Sequence, residues 1–194
     1  MSKKIKSSFK NMVLVLFSVT LIASATVAYV YQLTKEPIAK AKLNKQIQAI
    51  KDVVPPFTNN PFKEKIDIKV DDKHTIVIFP AKKNGELIGA AVKTYTQKAF
   101  GGEFWIMVGF KPDGTIINYS ILEHKETPGL GSKMDVWFKE KGKKSIINKN
   151  PSKTKFTVSK DGGDIDAITA ATISSRAFLD AVERGYKAFI KQNK

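Results

Sequence analysis

From Met12 to Tyr31 the chain is mostly apolar with scattered hydroxyls, and from Asn11 to Thr34 it carries no charge. Twenty helical residues rise about 30 Å, enough to cross a bilayer core, so this run predicts a membrane-spanning helix. Ile38, Ala41, Leu43, Ile47 and Ile50 then recur at loose helical spacing until Pro55-Pro56, with Pro37 where the first turn of a new helix tolerates it. This predicts a separate stalk helix. From about Ile66 the period falls to two. Thr75–Phe79 and Leu87–Thr94 read as strands around Asn84-Gly85, and Phe104–Phe110 and Thr115–Glu123 as strands around Pro112-Asp113-Gly114. In the third strand Phe104, Ile106, Val108 and Phe110 share one face, against Trp105 and Met107 on the other. Helical spacing returns at the end. Ile173, Ala177 and Ala181, with Phe178, Val182 and Phe189, form an apolar stripe, while Thr172, Arg176, Leu179 and Glu183 fall on a mostly polar face.

Together these patterns predict an α+β protein. It has an N-terminal transmembrane helix and a stalk helix, then an antiparallel sheet domain with flanking helices segregated to one side. The boundaries expected are 1–34 for a basic tail and anchor, 35–56 for the stalk, and 57–194 for the folded domain. Phe156-Thr157-Val158 reads as a last short strand, ended by the Asp161–Asp164 turn. Gly101-Gly102 either permits close approach of another backbone or of a planar ligand, or marks a plain bulge or turn.

Charge and composition narrow the function. The net charge is +15, nearly all from lysine, and the cysteine count is zero. Disulfides, thiolate iron–sulfur ligation, zinc ribbons and covalent c-type haem are thereby excluded. His74 and His124 stand in unrelated contexts, so no metal site is expected, and any redox chemistry falls to an organic cofactor. Only Arg176 and Arg184 are arginines, which argues against nucleic acid and for a lysine-rich surface near anionic lipid or an acidic partner. Lys3, Lys4, Lys6 and Lys10 before the span favour a cytoplasmic N-terminus and an extracytoplasmic domain, although Lys35, Lys40 and Lys42 weaken the asymmetry. A cleaved signal is the alternative, since Ala23-Ser24-Ala25 has the look of a processing site. The apolar run continues past it to Val30, which favours an uncleaved single-pass anchor.

Two stretches carry candidate chemistry. In Asp166–Ser175, Thr169 is the expected N-cap of the last helix, with Ala170, Ala171 and Thr172 at its first three positions. Small side chains there leave backbone N–H groups open to an anion, and the Thr172 hydroxyl stands beside them with Arg176 one turn on. The plainer reading is a capped helix with an idle threonine. In Glu126–Lys133, Pro128, Gly129 and Gly131 make a tight loop in which Leu130 has no evident core partner, and Ser132 is the expected cap of a short helix through Val136, Trp137 and Phe138. A turn between strand and helix is the plainer reading here.

Asp166, Thr169, Ala171 and Thr172 resemble the flavinylation motif D-x-x-[S/T]-G-A-T of the FMN-binding domain in the G subunit of Rnf-type electron transport complexes, with Ala170 where the family usually has glycine. The C subunit of sodium-translocating NADH:quinone reductases carries a similar motif. Thr127-Pro128-Gly129-Leu130-Gly131 is similar to what the same family carries at its flavin site, about forty residues earlier. With the N-terminal anchor the resemblance covers the whole chain. It implies an electron-relaying subunit whose FMN is joined through its phosphate to Thr172, attached by an FAD-dependent flavin transferase, among other membrane subunits of an Rnf-type complex coupling ferredoxin and NAD to ion transport. It also implies that Leu130 and its neighbours pack on the isoalloxazine ring, with Lys133 or Arg176 toward the phosphate. A stand-alone anchored flavoprotein and a non-redox assembly or binding module remain alternatives.

Overall fold

The structure, a computed structural model, describes residues 8–192. Lys3, Lys4 and Lys6 of the basic tail lie outside the described residues. The chain forms two compact units, Met1–Asn44 and Lys45–Lys194.

The first unit consists, among the described residues, of the greater part of helix α1 (Phe9–Val53). It is long and apolar enough to cross a membrane by length and composition. The hydroxyls of Ser18, Thr20, Thr26 and Thr34 donate to carbonyls one turn back, at Leu14, Leu16, Ile22 and Val30, so none needs water. The expected break between anchor and stalk is absent. Pro37 lies inside α1. Its fixed φ suits a helix, while the ring removes one N–H donor and crowds the carbonyl four residues back.

The second unit is a five-stranded antiparallel meander, β1 (Ile66–Lys69), β2 (Thr75–Lys83), β3 (Glu86–Ala99), β4 (Gly102–Phe110) and β5 (Ile116–Glu123), in sequential order. Asn84, with φ 52, and Gly85, with φ 87, turn β2 into β3, as an Asn-Gly pair favours. Helix α3 (Thr172–Gln192) covers one face. There Phe104, Ile106, Val108 and Phe110 of β4 pack with Ala177, Phe178, Ala181, Val182 and Phe189. Thr94 ties the layers together, its hydroxyl donating to the Ala181 carbonyl at 3.0 Å.

Helices are not confined to that side. Ala49, Ile50 and Val53, at the end of α1, join Phe79, Ala81, Ala91 and Met107 in a second buried cluster. The apolar stripe expected of a stalk therefore belongs, in its last part, to the core of the sheet domain. Asn118 and Lys45 fasten it, donating to the Asp52 and Leu122 carbonyls at 2.9 and 2.6 Å.

After β5 a long irregular stretch packs beside the sheet and holds α2 (Met134–Trp137). Tyr119 donates to the Met134 carbonyl at 2.6 Å, and burial pushes its phenol far above the usual range. The expected strand at Phe156–Val158 reduces to one bridge between Val158 and Ile165. Both side chains are buried all the same, with Phe156 and Ile168. Leu179, expected on the polar face of α3, is buried in the same cluster.

Candidate functional site

Helix α3 begins at Thr172, later than its sequence pattern predicts. Thr169 is not its N-cap. The Ala171 N–H donates to the Ile168 carbonyl at 3.0 Å, closing a turn over Thr169 and Ala170. Ala170 takes φ 62, as the third residue of a type II turn must, and that position favours glycine. The alanine thus stands in a left-handed turn, not within a helix. Ser175 holds the turn from below. Its hydroxyl accepts from the Ile168 N–H at 2.9 Å and donates to the Ala171 carbonyl at 2.9 Å. Ser174 and Ser175 are both buried, so Thr172 is the partly exposed hydroxyl of the first turn. Among the described residues its side chain makes no hydrogen bond.

The second stretch folds as a chain of turns. Leu130 and Ser132 N–H groups both donate to the Thr127 carbonyl. The Ser132 hydroxyl accepts from the Gly129 N–H at 2.9 Å and does not cap α2, whose N-cap is Lys133. Leu130 stays 40% exposed. Gly131 packs so closely on Glu126 and Ser174 that an added Cβ would overlap both.

The fold brings these two stretches to one cleft of about 330 Å³, lined by Phe100, Glu126, Thr127, Leu130, Gly131 and Ala170–Ser174. That volume is within the range of small-molecule and cofactor sites. Of the residues singled out from sequence, Thr127, Leu130, Gly131, Ala170, Ala171 and Thr172 line it. Pro128 and Gly129 form the outer, exposed part of the loop.

Lys133, Arg176, Asp166 and Thr169 are not lining residues. Arg176 is engaged with Asp161 by two hydrogen bonds of 2.7 Å, and its guanidinium holds the Asp161 carboxyl below the usual carboxylate range. Asp166 accepts from the Ser159 hydroxyl at 2.6 Å, and its carbonyl accepts from the Trp137 indole at 3.0 Å. Its place is in the turns that support the loop before α3.

Four lining residues were not assigned from sequence to the cofactor site. Phe100, 70% exposed, tops the β3–β4 hairpin. Its signal was the adjacent Gly101, where an added Cβ would run into the Lys125 carbonyl. Gly101 thus serves approach of a second backbone stretch, whereas Gly102, at φ 90, serves the turn. Ile173 was assigned to the core stripe, yet it is 50% exposed at the cleft. Glu126 and Ser174 are buried, and the Ser174 hydroxyl donates to the Glu126 carboxyl. No sequence pattern announced that pair.

A cleft walled by exposed Phe100, Leu130 and Ile173 suits a flat apolar ring, and a partly exposed hydroxyl at a helix N-terminus suits a phosphate. Comparison with known proteins agrees with this chemistry. The FMN-binding domain matches residues 99–187, and the RnfG N-terminal region matches residues 1–53. The G subunit of the ion-translocating oxidoreductase complex from Aliivibrio fischeri (strain MJ11) is 35% identical over 187 residues, covering 90% of this chain and 86% of the relative. Proteins of the same name from Salmonella typhi and Vibrio cholerae serotype O1 (strain M66-2) are 34% and 31% identical. They align over 81% and 84% of this chain, and over 79% and 81% of their own lengths.

Proposed function

Since the chain belongs to the family of G subunits of ion-translocating oxidoreductase complexes, we propose that it is the membrane-anchored flavoprotein subunit of an Rnf-type electron transport complex, with FMN esterified through its phosphate to Thr172. The observation that carries this reading is the shared cleft, in which a partly exposed Thr172 and the Thr127–Gly131 loop are both lining elements.

Bound FMN supplies redox chemistry that no side chain of this cysteine-free sequence provides. The residues hold and orient it. Phe100, Leu130 and Ile173 offer apolar contact and exclude water from its ring. The N–H groups at the N-terminus of α3 favour the negative charge that a phosphodiester keeps. The Thr172 oxygen provides the ester link. In attachment by a transferase using FAD, that oxygen loses its proton and bonds to the flavin-side phosphorus, the pyrophosphate bond breaks, and AMP leaves. A covalent link also prevents loss of the cofactor to open extracytoplasmic space.

On this reading Met12–Tyr31 crosses the membrane once, Lys3–Lys10 remain cytoplasmic, and the sheet domain stands outside. The partners are the other membrane subunits of the complex, together with the transferase during maturation. The family assignment disfavours a stand-alone flavoprotein and a non-redox module. The reading is tested by extracting the full chain from membranes of a host that contains the transferase. Flavin fluorescence that stays with the denatured polypeptide, and co-purification with polytopic partners, are expected. A colourless chain in such a host would contradict it.

A further inference from the structure

We propose that Glu126 is the positioning residue of this cleft, its single carboxyl fixing the Phe100 and Leu130 walls in register with the Thr172 hydroxyl. The inference rests on the flavin reading of the cleft and adds a residue to it.

Glu126 is 5% exposed although it lies between a surface loop and an open cleft. One carboxylate oxygen accepts the Gly101 N–H at 2.7 Å, next to Phe100 at the hairpin tip. The other accepts the Ser174 hydroxyl, two residues beyond Thr172. Its own N–H donates to His124 Nδ1 at 3.1 Å. Among the described residues, the hydrogen bonds of Thr127–Lys133 run within that loop and on to Met134 at the start of α2, so Glu126 is its polar link to the Phe100 and Thr172 walls. No lysine, arginine or histidine forms an ion pair with the carboxyl among the described residues.

Burying a carboxyl is costly unless its oxygens are hydrogen-bonded. Here those bonds run to two other segments of the chain. Gly131 completes the arrangement, since any side chain there would overlap Glu126 and Ser174. The three segments therefore meet at one carboxyl, and displacing it shifts the cleft walls relative to α3.

The test compares Glu126→Ala, Glu126→Gln and Ser174→Ala in the full chain in detergent. Gln keeps an acceptor for Gly101 and a polar partner for Ser174, without the charge. One readout is amide hydrogen exchange of flavin-free protein from a host lacking the transferase. The other is the rate of flavin attachment when transferase and FAD are supplied.

Glu126→Ala is expected to speed exchange at Gly101 and Ser175 about tenfold or more, the scale of one buried donor left unpaired, and to slow attachment by a similar factor. Ser174→Ala should slow attachment while leaving Gly101 exchange unchanged. Glu126→Gln should stay within about twofold of the parent in both readouts, well below the loss of one such bond. Parental exchange in Glu126→Ala would overturn the proposal, as would a Gln variant as impaired as the Ala variant, which would assign the effect to charge. If Glu126→Ala does not fold, a Ser174→Ala chain that takes flavin at the parental rate overturns the proposal, and slowed attachment with parental Gly101 exchange supports it. A parent that takes no flavin overturns the flavin reading alone, and the exchange comparison still decides for or against Glu126.

Discussion

Arg176 and Asp161 meet through two parallel hydrogen bonds of 2.7 Å, from the guanidinium Nε and Nη2 to the two carboxylate oxygens. The cation one turn beyond Thr172 therefore braces the 159–164 turn. Arg176→Gln should leave flavin attachment near the parental level. Its stability cost should appear above the ordinary carboxylate range and vanish as pH falls, because Asp161 has a depressed pKa only while Arg176 faces it. Unfolding midpoints of parent and variant at pH 7 and pH 3 test this. A variant that loses flavin while remaining folded would return Arg176 to the phosphate.

Ala170 carries a Cβ in a left-handed turn, at φ 62. Ala170→Gly relieves about 1–2 kcal/mol of local strain and gives back part of it as unfolded-state entropy. A net gain of about 0.5–1 kcal/mol is expected, read as a higher denaturant midpoint with an unchanged slope, with attachment retained. A loss of stability would contradict the turn assignment.

The hairpins were legible because Asn84-Gly85 and Pro112-Asp113-Gly114 are local turn signals flanked by alternating strands. The start of α3 was not. Thr169 satisfies every local rule for an N-cap, but the turn closed by Ala171 and anchored by Ser175 displaces it. Ile173 and Leu179 exchange their expected roles for tertiary reasons: one faces a cleft at the helix end, and the other joins the buried core cluster that also takes in Phe156, Val158, Ile165 and Ile168. Two motifs converging on one cleft could be expected from resemblance, whereas Phe100 and the Glu126–Ser174 contact are products of packing between distant segments.

His74 lies between two carboxylates, Nε2 at 2.6 Å from Glu103 and Nδ1 at 2.7 Å from Asp71, and stacks on Tyr95 at 4.2 Å. Gln97 also approaches Nε2, and Arg184 covers the Tyr95 ring. Glu103 first, then Asp71, raise the His74 pKa. A raised value means that the stabilisation is full below the unfolded value of about 6.5 and is lost as pH rises through the folded one. His74→Gln should therefore destabilise the domain most at pH 6 and progressively less at higher pH. An NMR titration of His74 at or below the unfolded value would contradict this.

Leu130, at the rim of the cleft, is expected to touch the ring without taking part in attachment. Leu130→Ala should keep covalent flavin but shift its absorption band and its midpoint potential. An unchanged spectrum and potential would remove Leu130 from contact with the ring.

Thr172 carries the central claim, and intact mass spectrometry of the membrane-extracted full chain, from a host with an active transferase, tests it most directly. Thr172→Ala retains a good helix former at a partly exposed position, so its stability should change by less than about 1 kcal/mol. The parent should carry the mass of one FMN less one water, Thr172→Ser the same adduct in lower yield, and folded Thr172→Ala none. A Thr172→Ala chain that still bore the FMN mass after denaturation would contradict the account.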